Sequence, residues 1–197
     1  MAYHDGSRQL QGQFDTTRLA DRIDDLLVHD TFSADDKQFI EARDMFFLAT
    51  ADVEGRPTCS YKGGAPGFVK VVDDRTLAFP NYDGNGMYLS MGNVVVNPHV
   101  GLLFLDLENA WRMRVDGEAH IDPEDPLLAD YHEAQFVVRV TPRAVYPNCP
   151  RYIHRYQQVE RSDFIPDVQC RTPVPDWKRS DWAVDVLAEN DPARRPS

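Results

Sequence analysis

Between Met45 and Tyr146 the chain is a succession of short β-patterned runs separated by turn residues, and no other feature limits its fold so strongly. "MFFLATA" (45–51) is apolar, "DVEGRP" (52–57) is turn chemistry and "TCSYK" (58–62) resumes extended structure, so the three read as a β-hairpin. "GFVKVVDD" (67–74) and "TLAFPN" (76–81) pair across Asp73-Asp74-Arg75 as a second hairpin. "HVGLLFLDL" (99–107), "WRMRVDGEAHI" (111–121) and "QFVVRVTPRAVY" (135–146) carry the same pattern. Six or seven short strands joined mainly by tight turns predict an antiparallel barrel with peripheral helices, an α+β fold that is mainly β. No GxGxxG leads from a strand into a helix, which argues against a doubly wound dinucleotide fold.

Helices are expected around this core. One starts at Thr16 or Thr17, where Leu19, Ile23, Leu26 and Leu27 recur at helical spacing. A second starts after Ser33, a capping residue followed by Asp35 and Asp36, and ends near Arg43. Further helices are predicted over Asp125–Tyr131 and from Pro150, with Asn148 as its cap. The chain of 197 residues is read as one domain with its core at about 33–160. Residues 1–13 are expected to be frayed and 188–197 disordered, with Trp177 and Trp182 docking the part of the tail between.

Composition narrows the function. A net charge of −11 argues against a general affinity for nucleic acid or an anionic membrane, and makes any cluster of basic residues notable. No apolar run reaches the ~18 residues of a membrane span, and the N-terminus lacks an apolar signal core, so a cytoplasmic protein is expected. Three cysteines (Cys59, Cys149 and Cys170) and scattered histidines match neither a disulfide framework nor a metal-ligand spacing, and no metal is expected.

Three segments carry chemistry in this acidic background. In "SYKGGAPGFVKV" (60–71) alternation puts Ser60 and Lys62 on one strand face. Gly63 and Gly64 allow close backbone approach, and Lys70 follows one strand on. The set suits a phosphate, or else it is a glycine-rich turn with two solvated lysines. "NGMYLSMGN" (85–93) opens a helix predicted over 86–96, whose free N–H groups, with Asn85, Ser90 and Asn93, suit an anionic ligand. The same residues also describe an Asn-capped helix that merely packs. In "WRMRVDG" (111–117) Arg112 and Arg114 share a strand face and suit an anion, or a surface ion pair with a neighbouring strand. Cys149, placed between a strand end and a helix start, is either an activated thiolate or a buried inert thiol. No Ser-His-Asp or Cys-His-Asp spacing identifies catalytic residues.

These blocks, in this order, resemble the pyridoxamine 5'-phosphate oxidase-like family of FMN-binding split-barrel proteins. The resemblance runs from about Phe39 to Tyr156, through "FLATADVEGRPTCSYKGGAPGF", "NYDGNGMYLSMGNVVVNP", "RMRVDGEA" and "NCPRYIH". It implies a homodimer of six-stranded split barrels, with two FMN sites at the subunit interface and a small-molecule electron donor or acceptor. It implies that the strands holding Ser60, Lys62 and Gly63, and Phe68 and Lys70, pass the flavin. It further implies that Asn85, Tyr88, Ser90 and Asn93 hold the phosphate and ribityl chain. Arg112 falls where the oxidases carry a flavin-contacting glutamine, with Arg114 two residues on, and the segment of Asn148 and Cys149 reaches the cofactor of its own or the partner subunit.

The chain also departs from the oxidases. They carry an Arg-x-x-x-x-Lys strand and a Ser-Arg-Lys segment on the FMN phosphate. Here Ser60 stands near that arginine, and "GMYLSMG" has no Arg or Lys. The phosphate would then be met by Lys62, Lys70, Arg112, Arg114 or helix N–H groups. The resemblance implies an FMN-dependent oxidoreductase of unknown second substrate. A barrel using deazaflavin or haem, a flavin-binding stress module without turnover, and a structural adaptor are the alternatives.

Overall fold

Alternate residues of Met45–Ala51 are buried: Phe46, Leu48 and Thr50 point one way, while Met45, Phe47 and Ala49 point the other. A computed structural model of the chain describes residues 3–194 and shows what this alternation builds. The strand, β1, pairs antiparallel with β2 (Pro57–Gly63) on one side and with β5 (His99–Asp106) on the other. The remaining strands are β3 (Lys70–Asp73), β4 (Thr76–Asn81), β6 (Trp111–Asp122) and β7 (Phe136–Pro147). One seven-stranded sheet has the order β2-β1-β5-β6-β7-β4-β3, and every pair is antiparallel. The sheet curls around a core without closing, because β2 and β3 remain its edges. This is the split barrel, with seven strands where the resemblance implied six.

The inner face is apolar. Phe46 lies at its centre, with ring centroids 5.1 Å from Phe79, 5.2 Å from Phe104 and 5.9 Å from Phe68. Leu48, Leu77, Leu102, Val115 and Val138 complete a fully buried layer. Between Asp116 and Gly117 the pairing of β6 with β7 shifts register, and the two backbones run close.

Helix α1 (Asp5–Gln13) and helix α2 (Thr17–Leu27) precede the sheet, and α3 (Ala34–Glu41) covers one end. The stretch expected to be frayed is therefore helical from Asp5, with the His4 ring accepting from the Ser7 N–H as a cap. Ser33 caps α3 as expected and also forms a capping box with Asp36, while Lys37 and Glu41 reach the β3 backbone at Val71. The predicted helix over 125–131 is a shorter 3₁₀ turn, Pro126–Asp130, capped by the Asp125 carboxylate. No helix starts at Pro150. Residues 153–162 have no regular structure, because the Asn148 side chain is engaged by Arg114 instead of capping.

Contacts group the chain into two compact units, the first ending at Gln158 and the second beginning at Val159. In the second, Trp177 and Trp182 stack on each other at 5.8 Å. Lys178 and Asp191 form a buried ion pair of 2.8 Å, so ordered contacts extend into the segment read as disordered; residues 195–197 lie outside the described residues. No helix among the described residues is long and apolar enough to cross a membrane.

The register shift generates a stability prediction. A Cβ on Gly117 would stand 2.3 Å from the Thr141 carbonyl oxygen. Gly117→Ala should therefore destabilise the barrel by about 1–3 kcal/mol, the usual range for overpacking. Urea denaturation would read this as a lower midpoint, and an unchanged midpoint would mean that the two strands can part without cost.

Candidate functional site

An edge strand has one neighbour, so its inner face must be covered by something other than sheet. On β2 that face is polar: alternation turns Thr58, Ser60 and Lys62 inward, while Cys59 and Tyr61 face out. Helix α4 (Leu89–Val96) covers it with matching polar groups. The Ser60 and Ser90 hydroxyls lie 2.6 Å apart, and the Asn93 amide donates to Thr50 Oγ1 at 3.0 Å and Thr58 Oγ1 at 3.3 Å.

Helix α4 begins three residues later than the sequence suggested. Asn85 does not cap it: its Oδ1 accepts from the Met87 N–H, closing a local turn. The residue before the helix is Tyr88, whose backbone is left-handed at φ 49°. A non-glycine residue holds that conformation only when its surroundings enforce it. Here the Tyr88 hydroxyl donates to Gln135 Oε1 at 3.0 Å, and the Asn81 amide donates to the same oxygen at 2.9 Å. Gln135, just before β7, thus fastens the loop 82–88. Nothing in the sequence singled it out.

The result is a cleft of about 180 Å³ between β2, the loop and the start of α4, lined by Ser60, Lys62, Asn85, Tyr88 and Ser90 among others. The first N–H groups of α4 have no intrahelical acceptor and open toward this end of the helix. Lys62 is half-buried and has no ion-pair partner among the described residues. Burial alone pushes its ammonium below the usual lysine range. A half-buried, uncompensated cation beside free N–H donors is a place for an anion.

Other expected members lie elsewhere. Lys70 is ion-paired with Asp130 at 2.6 Å and sits 5.0 Å from the Tyr131 ring centre, so it is committed outside the cleft. Phe68 is a core residue stacked on Phe46. Gly63 and Gly64 serve packing: a Cβ on Gly64 would fall 2.3 Å from Phe68 Cγ, and one on Gly63 2.8 Å from Tyr61 Cε1. Asn93 stands behind the cleft as part of the α4 attachment.

A second cluster forms on the outer face of the sheet. Arg112 and Arg114 alternate with the buried Met113 and Val115 and therefore face away from the core. Arg114 Nε donates to Asn148 Oδ1 at 2.8 Å, and Arg112 Nε is buried without a hydrogen-bond partner. Neither arginine pairs with a carboxylate among the described residues. Cys149 is exposed, not buried, and no helix stands at its side. The hydrogen bonds that Arg151 makes to it, one from its Nε at 3.0 Å, hold the thiol below its usual range. Arg151 lies within the "NCPRYIH" motif but was not singled out there.

Registry links this cluster to an apolar strip. Tyr61, Phe47, Leu103, Arg114 and Tyr146 stand side by side across β2, β1, β5, β6 and β7. The cleft and the arginines therefore occupy opposite faces of one sheet.

Residues 32–158 match the family model described as pyridoxamine 5'-phosphate oxidase. No curated protein matches the chain. Among solved structures, a Lactobacillus delbrueckii protein provisionally named a pyridoxamine 5'-phosphate oxidase is 21% identical, with a TM-score of 0.49, over 60% of this chain and 95% of that one. HupZ of Group A Streptococcus is 16% identical, with a TM-score of 0.48, over 64% and 99%. An FMN-binding protein from Syntrophomonas wolfei is 11% identical, with a TM-score of 0.45, over 71% and 97%.

The hydroxyl pair between β2 and α4 can be tested directly. Ser90→Ala and Ser60→Ala should each cost about 0.5–1.5 kcal/mol, since each leaves the other hydroxyl without its partner. The double variant should cost clearly less than the sum. Additive losses in equilibrium unfolding would show that the two oxygens do not bond.

Proposed function

Because the chain belongs to the pyridoxamine 5'-phosphate oxidase family, we propose that it is an FMN-dependent oxidoreductase. Its cleft would hold the flavin phosphate end in a homodimer whose two sites lie at the subunit interface. The observation that carries this reading is Lys62, a half-buried cation without a counter-ion, set beside Ser60, Ser90 and the open N–H groups of α4. A phosphate satisfies all of these at once.

The size of the cleft supports the dimer. About 180 Å³ is less than the roughly 300–1,000 Å³ of a typical small-molecule site, so one chain supplies part of a site. Alternation puts the Arg112–Arg114 cluster on the other face of the sheet, where its own chain's cleft cannot use it. In a symmetric pair the arginines and Asn148 of one copy can serve the cleft of the other. Bound flavin supplies hydride chemistry, while the protein binds, orients and shields it. Lys62 would neutralise phosphate charge, and Ser60, Ser90 and Asn85 would orient the polar chain. An arginine near the ring would favour the reduced, anionic flavin. Three exposed free cysteines fit a reducing, cytoplasmic setting, which belongs to the same proposal.

Anaerobic mixing of the FMN-loaded protein with NADH, NADPH or pyridoxamine phosphate tests the activity. Flavin bleaching by any of them supports an oxidoreductase and names the donor. Bleaching by none would leave a flavin-binding module. A colourless protein that fails to quench FMN fluorescence on titration sinks the reading altogether.

Two outcomes follow for Lys62. Lys62→Met should weaken FMN binding about tenfold to a hundredfold, the loss of one charge-assisted hydrogen bond of roughly 1.5–3 kcal/mol. The wild-type affinity should also depend on pH. An anion raises the depressed Lys62 pKa, so binding takes up a proton. Affinity is then full below the free-protein pKa and falls as pH rises through it, toward the pKa of the complex. FMN titrations at alkaline pH should show this slope in the wild type and a flatter profile in Lys62→Met.

A further inference from the structure

Helices α1 and α2 bury no residue, although α2 is strongly two-faced. Leu19, Ile23 and Leu26 form a stripe at i, i+4 and i+7, with Leu19 60% and Leu26 70% exposed, and Leu10 and Phe14 of the neighbouring turn are exposed too. The two helices hold each other by an Arg8–Asp21 ion pair of 2.6 Å and a bond from the Tyr3 hydroxyl to the Ala20 carbonyl. At 9 and 11 residues, each is shorter than the roughly 12–15 residues at which isolated helices become marginally stable. The stripe therefore calls for a covering surface.

The charges on α2 say what kind. Its last turn carries Asp24 and Asp25 and no basic residue, at the helix end where the macrodipole is already negative. Asp25 forms no ion pair with another described residue. Asp25 there suits a cation beside an apolar surface.

The arm after β7 has both. Residues 151–156, "RYIHRY", bring Arg151, Arg155 and His154 together with Tyr152 and Tyr156 in a chain of net charge −11. Tyr152 is 93% exposed and Tyr156 60%, and neither arginine pairs with a carboxylate among the described residues. Backbone bonds from Asn148 to Arg112 and from Tyr156 to Leu107 anchor the arm at both ends, so it is held out in a defined place. Within one chain the stripe and the arm are both uncovered. A second copy brings each to the other, and two-fold symmetry makes the exchange reciprocal.

We propose that the α1–α2 helix pair is a docking surface for a second copy of this chain, whose 151–156 arm covers the Leu19–Ile23–Leu26 stripe and sets Arg151 and Arg155 against the acidic end of α2. The contact rests on the dimeric reading above and gives it a surface outside the family-matched residues 32–158. It also ties the arm, which begins two residues after Cys149, to the subunit whose cleft it approaches.

Hydrogen exchange on the 197-residue chain with excess FMN added tests it, with sedimentation and FMN titration run on portions of the same preparations. Amides of residues 19–27 should exchange slowly in the dimer and at least tenfold faster in Arg151→Glu/Arg155→Glu. Adding Asp25→Lys should restore most of the protection, which a merely misfolded variant would not regain. Unchanged exchange in the arm variant, or no rescue, overturns the proposal while leaving the flavin site untouched. Protection that persists in a monomer would mean that the helices are covered within their own chain, and it also overturns the proposal. Rescue in a dimer that does not bind FMN would uphold the docking surface and sink the flavin reading instead.

Discussion

The attachment of α4 to the inner face of β2 is the contact on which the site depends. Through Ser60–Ser90 and the Asn93 amide, a helix lies where a closed barrel would have another strand. The polarity of Thr58, Ser60 and Lys62 makes this possible. An apolar inner face on β2 would draw the sheet shut or collapse onto the Phe46 core, and no cleft would remain. Polar groups at the edge are satisfied by a helix terminus instead, and a helix terminus brings open N–H groups with it. The cleft thus follows from how the edge of the sheet is covered.

Lys62 shows the cost of that arrangement. Several other partly buried cations have carboxylate partners close by, as Lys70 has in Asp130 and Arg43 in Asp106. Lys62 has none and is half-buried, so its charge is disfavoured until an anion arrives. Tyr88 adds a backbone conformation that tyrosine does not choose, enforced by Gln135. Strain and unpaired charge in the same few residues are what the proposed ligand site rests on.

Much of the barrel was legible in the sequence, because strand alternation and tight turns are local. Met45–Ala51 and Thr76–Asn81 fall where the pattern put them, and the Ser33 cap is where its chemistry required. Ser60, Lys62, Asn85, Tyr88 and Ser90 do gather in one cleft, and Arg112, Arg114, Asn148 and Cys149 gather in another place. The differences share one origin. The resemblance set Phe68 beside the flavin and the Lys/Gly pattern set Lys70 beside a phosphate, whereas Phe68 stacks on Phe46 and Lys70 pairs with Asp130. The helix after Pro150 was lost because Asn148 answers Arg114, thirty-four residues away. Helix α4 starts late because Gln135, still farther along the chain, holds Tyr88. Each depends on a partner far away in the sequence, and no local pattern reveals such a partner.

The two polar clusters also bear on the proposed dimer. Period-two alternation forces Arg112 and Arg114 outward wherever Met113 and Val115 turn inward, so no rotamer brings these arginines to Lys62 of the same chain. A stronger anion site within one barrel would need a second cation beside Lys62 on the inner face of β2, or one on α4, where "GMYLSMG" has none. A cation placed there would have to displace the hydroxyl and amide contacts that hold α4 in place. Drawing the second charge from the outer face of a partner avoids that conflict. In the proposed dimer the neutral start of α4 and the arginine-bearing outer face of β6 are then two consequences of one constraint, met by pairing two chains.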